Sequence, residues 1–132
     1  IRVLSSSSPL VMLPTSVSVV CFVMIRRPPR SPLDRSSAAS DVYKRQAFRL
    51  APFDTDEALS MIEEIRGAAL LRGARGSTPA DIEVLARTLS RLSVFAHVNR
   101  GVIAEIDINP FLVLARGHGA FALDALVLPT AA

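Results

Sequence analysis

From Ala104 to Pro110 the chain alternates strictly: Ala104, Ile106 and Ile108 are apolar, while Glu105, Asp107 and Asn109 carry oxygen. Alternation at period two is the mark of a β-strand, whose successive side chains point to opposite faces. One face of this strand therefore joins a core, and the other presents Glu105, Asp107 and Asn109 at spacings suited to a hard cation. A plain solvated face would show the same alternation of acids. The Asn between an acid and a Pro, followed by a lone acid in the next apolar segment, favours a site.

That next segment, residues 120–128, reads as a second strand around Asp124, and Arg116-Gly117-His118-Gly119 reads as the turn between the two. A hairpin centred between Arg116 and Gly117, with a two- or four-residue loop, pairs residues whose numbers sum to 233 and sets Asn109 opposite Asp124. Directly opposed residues hold their Cβ atoms about 4.5–5.5 Å apart on one face, so an amide oxygen and a carboxylate can share one ion. Ala120 and Ala122 on that face leave room for a ligand. Pro110 cannot donate to a ladder and marks a place where a bulge would shift the register by one. Oxygen-only ligands select Mg²⁺, Mn²⁺ or Ca²⁺ over zinc or copper. With so few protein oxygens, Mg²⁺ completed by water and substrate phosphates fits best.

Local signals organise the rest of residues 47–132. Residues 47–50 are a strand stub that ends at Pro52. Asp54 with Glu57 three residues on has the shape of a capping box and opens a helix through about Arg66, with Leu59, Ile62 and Ile65 as its apolar stripe and Met61 beside it. Gly67 loosens the chain, residues 68–71 extend the helix toward Gly73, and residues 73–77 are a turn-rich linker. Thr78 as N-cap, Pro79 at the first helical position and Asp81 in the first turn predict a second helix. Its buried side runs through Ile82, Leu85, Leu89, Leu92 and Phe95 or Ala96, and it ends around residues 97–99. The order strand, helix, helix, strand, strand predicts an α+β layer: two helices packed on one face of an antiparallel sheet with a terminal hairpin.

Residues 1–46 have another character. They hold ten Ser, and seven Lys or Arg against two acids, a net of +5, whereas residues 47–132 carry a net of −2, which together give the chain's +3. A pI near 10.0 ordinarily points to nucleic acid or an anionic membrane, but here the excess sits in one segment, so neither partner is expected. The apolar patch over residues 10–25 is interrupted by Pro14, Thr15, Ser16 and Ser18, and falls short of the roughly 18 apolar residues a membrane helix needs. Its positive charge mostly follows the apolar run, unlike a secretory signal. The expectation is a disordered, low-complexity segment. Residues 24–31 and 36–46 also resemble translated sequencing-adapter text, which would make 1–46 an artefact joined to a truncated gene.

Other conspicuous residues weigh less. Cys21 is the only cysteine, so no intrachain disulfide or cysteine zinc cluster is available. His97 reads as a helix-end cap or a charge favourable to the dipole, and His118 as a solvated turn residue. Arg72 and Arg75, set among glycines, are candidates for a phosphate or acyl-CoA anion, because Arg binds such groups bidentately; the plainer alternative is a basic surface loop. There is no Walker-type loop, no paired zinc ligands and no Ser-His-Asp order.

The runs at residues 104–113 and 122–126, with Phe48-Arg49-Leu50-Ala51-Pro52-Phe53, Leu70-Leu71-Arg72-Gly73-Ala74-Arg75-Gly76 and Pro79-Ala80-Asp81 in that order upstream, resemble the end of the ATP-grasp domain of ADP-forming acyl-CoA synthetases. These are acetate–CoA ligases related to the β-subunit of succinyl-CoA synthetase. The resemblance covers about residues 47–128. It implies a C-terminal ATP-grasp subdomain fragment in a cytoplasmic ligase, with Mg²⁺ and ATP or ADP as cofactors. It further implies Asn109 and Asp124 as the ligands of the nucleotide's Mg²⁺, with Asp107 and Glu105 beside them. The implied partners are a CoA-binding domain or subunit of the parent and an acyl-CoA or carboxylate substrate, with phosphoryl transfer passing through a phosphorylated intermediate. A chain without the preceding ATP-clamping subdomain should be inert alone. The same architecture also serves as a regulatory module in synthetase-like protein acetyltransferases, and a small stand-alone divalent-cation-binding protein is the remaining alternative.

Overall fold

The computed structural model of the chain describes residues 1–6, 16–22 and 46–131. Strands β1 (Arg2–Ser6), β2 (Ser16–Phe22) and β3 (Gln46–Leu50) are followed by helices α1 (Thr55–Glu64) and α2 (Ala68–Leu71), a 3-10 turn at Ala74–Gly76 and helix α3 (Ile82–Val98). Strands β4 (Ile103–Ile108), β5 (Phe111–Val113), β6 (Ala120–Ala122) and β7 (Ala125–Pro129) complete the order. Five strands form one antiparallel sheet in the order β3-β2-β1-β4-β7, and β5 and β6 form a second, two-stranded sheet. The architecture is the expected α+β layer, with α1 packed on α3 and α3 on β1 and β2.

The sheet divides cleanly into two faces. Ile106, Val3 and Val19 are neighbours across β4, β1 and β2 and are all buried, as are Ile1 and Ala47. Against them lie Ala58, Met61, Ile62 and Ile65 from the first helical stretch, and Leu85, Ala86, Leu89 and Ala96 from α3. Each large apolar side chain so buried contributes on the order of 1.5–3 kcal/mol. The predicted stripe of the first helix is thus shifted: Ala58 and Met61 are fully buried and Leu59 only partly so. On α3, Ala96 is buried while Phe95 is half exposed. The other face of the sheet is open, with Phe48, Leu50, Leu126 and Leu128 exposed on it.

Two stretches within the segment expected to be disordered are strands. Ser16–Phe22 pairs along the whole of β3, and Arg2–Ser6 pairs with both β2 and β4. The physical reason lies in β3 and β4, whose unpaired N–H and C=O groups would otherwise form two open edges. Ser16-Val17-Ser18-Val19 alternates at period two and fits that gap. The basic knot at residues 26–30, the adapter-like text at 24–31 and 36–45, and the first part of the apolar patch lie outside the described residues, as does the side chain of Cys21. Among the described residues no helix is long and apolar enough to cross a membrane.

Local chemistry explains the helix boundaries. Asp54 caps α1 by accepting from the Glu57 backbone N–H at 2.9 Å, as the capping-box pattern requires. Ile65 has extended backbone and ends that helix, so residues 68–71 form a separate short helix. Gly73 then takes φ +88, where an added Cβ would stand 2.6 Å from the Ser77 carbonyl oxygen, so only glycine fits this turn. The N-cap of α3 is Asp81, not Thr78: Pro79 and Ala80 are extended and pair with the 114–116 stretch through an Ala80–Ala115 bridge. Buried Ser93 ties α3 to the loop after β3, accepting from the Phe53 N–H at 3.1 Å, while the Ser90 hydroxyl donates to the Phe53 carbonyl at 2.9 Å. At the far end Asn99 closes α3 through its Nδ2, which donates to the Phe95 carbonyl at 2.8 Å. The expected capping role of His97 falls instead to Asn99.

Candidate functional site

The hairpin register is the one that sets Asn109 against Asp124. Glu105 pairs with Leu128, Asp107 with Leu126 and Ile108 with Ala125, and past the junction Phe111 pairs with Ala122 and Val113 with Ala120. Every one of these pairs follows the same rule, including those on the far side of Pro110. Pro110 needs no N–H there, because its carbonyl accepts from the Leu123 N–H at 3.0 Å; the ladder is divided into two sheets at this point without being shifted. The irregularity lies instead between Ile103 and Glu105. The turn is a two-residue loop at Arg116 and Gly117, closed by the His118 N–H donating to the Ala115 carbonyl at 2.9 Å.

Asn109 and Asp124 meet at the root of this excursion, where the Asn109 N–H donates to the Asp124 carbonyl at 3.2 Å. Both residues are exposed, and Asp107 is half-buried on the same open face. Asp107 stands between Leu126 of β7 and Arg2 of β1 in register. Glu105, the fourth predicted ligand, is engaged: Arg2 Nε donates to its Oε1 at 2.6 Å, and Nη2 makes an ion pair with the same oxygen at 2.6 Å. The register thus brings the backbones of Asn109 and Asp124 together, two residues beyond Asp107 on β4, and gives Glu105 to an arginine. His118 is exposed in the turn.

Arg72 stands elsewhere. It lines an open cleft of about 500 Å³ together with Arg116, Glu83 and the residues that lead into α3. Its guanidinium pairs with Glu63, and Arg116 lies 3.9 Å from Glu83. The side chain of Arg75 lies outside the described residues.

Asp81 does more than open α3. Asp81 is buried and satisfies three backbone donors: Oδ1 accepts from Val84 N–H at 3.4 Å, and Oδ2 accepts from Gly117 N–H at 3.0 Å and Gly119 N–H at 3.1 Å. The Gly119 N–H, helped by those of Val84 and Gly117 and by the charge of Arg116, holds this carboxyl below the usual carboxylate range against the opposing effect of burial. Elsewhere Arg49 of β3 bridges Glu57 and Glu64 on α1, which lowers the Glu64 carboxyl and raises the Arg49 guanidinium.

Comparison with known proteins gives this geometry a family. The β subunit of acetate–CoA ligase [ADP-forming] II from Pyrococcus furiosus is 36% identical over 88 residues, which are 67% of this chain and 37% of that protein. The 4-hydroxybutyrate–CoA ligase [ADP-forming] of Nitrosopumilus maritimus is 39% identical over 87 residues, 66% of this chain and 12% of that one. The chain therefore spans little more than a third of the first of these relatives. Among solved structures, the dinucleotide-forming acetyl-coenzyme A synthetase 1 of Ca. Korarchaeum cryptofilum, in complex with coenzyme A and Mg-AMPPCP, superposes with a TM-score of 0.65 at 25% identity, covering 98% of this chain and 52% of that one. The model of the ATP-grasp domain family matches residues 35–128, which hold β3 to β6, all of β7 but its last residue, and the Asn109–Asp124 pair, and the chain belongs to that family.

Proposed function

We propose that this chain is the C-terminal part of the ATP-grasp domain of an ADP-forming acyl-CoA synthetase of the acetate–CoA ligase type, and that Asn109 and Asp124 hold the Mg²⁺ of its nucleotide. The observation that carries this reading is their direct opposition at the exposed root of the hairpin, with Asp107 two residues before Asn109 on β4. The donors suit the ion. One amide oxygen and two carboxylates are hard ligands, and among the described residues no group of three His, Cys, Asp or Glu could close a cage around a metal. Such an open set fits a cation that keeps water and takes phosphate oxygens.

Asn109 offers a neutral oxygen and Asp124 a charged one, so the pair orients a cation without neutralising it, and Asp107 adds a second charge from one side. Glu105, held by Arg2, shapes the field without reaching into the site. Mg²⁺ held there by Asn109 and Asp124 would supply the positive charge that offsets the charge of phosphoryl transfer. The open face of the sheet carries Phe48, Leu50, Leu126 and Leu128 beside the acids, the apolar surface that a nucleotide base and the other ATP-grasp half would cover. Arg72, with Arg75 on the same glycine-rich turn, would meet a phosphate or an acyl-CoA anion at the cleft it shares with Arg116.

The names of the relatives, ADP-forming CoA ligases, support the parent reaction: interconversion of acyl-CoA, phosphate and ADP with carboxylate, CoA and ATP. A cytoplasmic setting and a CoA-binding domain or subunit as partner belong to the same proposal. By itself the chain does not turn over. Calorimetric titration with Mg²⁺ and ADP, comparing the native chain with Asp124→Ala, tests the metal assignment. Binding that depends on both nucleotide and Asp124 supports it; tight Ca²⁺ binding that needs no nucleotide overturns it in favour of a simple cation-binding protein.

A further inference from the structure

Asn109 and Asp124 stand at the root of an excursion that leaves the main sheet at Pro110, runs out along β5, turns at Arg116 and Gly117 and returns along β6. A two-stranded ladder of three pairs is too small to hold its own orientation. Phe111 and Val113 pack its one side on the core, and its direction is completed by what its ends are bonded to. The root is held by the Asn109 N–H to the Asp124 carbonyl and by the Leu123 N–H to the Pro110 carbonyl. The tip is held by Asp81, whose Oδ2 takes both the Gly117 and the Gly119 N–H while Oδ1 caps α3.

The two glycines have φ of +82 and +81, and an added Cβ at either would meet nothing within 4 Å. They are therefore required for backbone direction and not for space: left-handed conformation at both aims two N–H groups at one carboxylate oxygen. The tie is reinforced on the main chain, since the Asp81 N–H donates to the Leu114 carbonyl at 2.8 Å and the Arg116 N–H to the Pro79 carbonyl at 2.9 Å. A buried carboxylate with charge-assisted bonds to a hairpin tip and a helix N-terminus makes one rigid body of α3 and the hairpin.

We propose that Asp81 is a positioning residue for the Asn109–Asp124 pair, acting through the hairpin to fix the angle at which the two side chains face one another. This rests on the reading of that pair as the nucleotide-metal site. Asp81 touches neither the cation nor the nucleotide; its carboxylate sets how well a site at the other end of β5 and β6 is preorganised.

The test uses the ¹⁵N-labelled 132-residue chain with Asp81→Ser, which keeps an N-cap oxygen for α3 but leaves none to reach the turn. Without metal, exchange of the Asn109 and Leu123 amides should accelerate about tenfold, the equivalent of one lost charge-assisted hydrogen bond. With Mn²⁺ and ADP, the concentration needed to broaden the Asn109 side-chain amide should rise by a similar factor. Ser93→Ala, which removes a buried hydroxyl from the side of α3 that faces Phe53, is the control for general destabilisation and should change neither readout. Should Asp81→Ser not fold, Gly119→Ala loosens the same tie from the hairpin side and must reproduce the effect. Unchanged exchange and broadening in these variants, or equal changes in Ser93→Ala, overturn the positioning role. Mn²⁺ broadening that survives Asp124→Ala refutes the metal reading itself, and with it any metal-positioning role for Asp81. A normal Asp124→Ala response with no effect at position 81 refutes the Asp81 role alone.

Discussion

Asn109 and Asp124, fifteen residues apart in sequence, face one another across the junction of two β-ladders, joined by a 3.2 Å bond from the Asn109 N–H to the Asp124 carbonyl. Both residues are exposed. Around it the four acidic or amide candidates separate into unequal roles.

Glu105 is the candidate already paired with a cation, since Arg2 reaches its Oε1, and we infer that it contributes least to the metal. Glu105→Gln should leave the apparent Mg²⁺–ADP affinity within about twofold, and stability should fall by no more than the ~0.2–1 kcal/mol of an exposed ion pair. Asp107→Asn should weaken the same affinity about tenfold, because it removes a charge directed at the site. Parallel titrations of the two variants check this, and equal losses would contradict the ranking.

Acid should loosen the fold at Asp81 and Glu64. Both carboxyls lie below their ordinary range in the folded chain, so each adds stability that is fully present above the unfolded value near pH ~4 and is lost as pH falls through the folded value. Arg116 is the cation facing Asp81 and Arg49 the one facing Glu64. Thermal unfolding followed between neutrality and strong acid should show a steeper loss in the native chain than in Asp81→Asn, whose amide does not titrate. Parallel curves would contradict this.

The strands from the N-terminal segment are structural. Residues 47–132 alone lose the two strands between β3 and β4 and expose both edges, together with the side of α3 that packs on β1 and β2. That shorter chain should aggregate, or melt without a cooperative transition, in size-exclusion and calorimetric runs. A monomeric, cooperative transition would contradict the prediction.

Core truncation supplies a calibration for these effects. Leu89 is fully buried at the centre of α3, so Leu89→Ala should cost about 2–5 kcal/mol. Denaturant unfolding measures it, and a loss below ~1 kcal/mol would mean that the helix does not pack on the sheet as described.

How far the sequence carried depended on how local each signal was. The Asn109–Asp124 pairing was legible because strict alternation fixes the face and the Arg116-Gly117 turn fixes the register. Pro110, the residue that threatened that register, sits where a carbonyl alone is needed. The Asp54 cap was legible for the same reason, since its partner is three residues away. Asp81 was misjudged because its partners, Gly117 and Gly119, are 36 and 38 residues distant, while Thr78-Pro79 offered a plausible local cap. The strand at Ser16–Phe22 was hidden by serine and valine alternating inside a basic, Ser-rich segment; period two was present, but what stabilises the strand is the open edge of β3. Arg2 could not be linked to Glu105 without knowing that β1 lies beside β4.

The most direct test of the account is an anomalous-scattering map of the crystalline chain soaked with Mn²⁺ and ADP. The account predicts a single strong peak about 2.0–2.3 Å from the Asn109 amide oxygen and an Asp124 carboxylate oxygen, with nucleotide phosphate completing the shell and Glu105 still on Arg2. A peak held by Glu105 and Asp107 away from Asn109, or no peak on this face while the nucleotide is bound elsewhere, would contradict it.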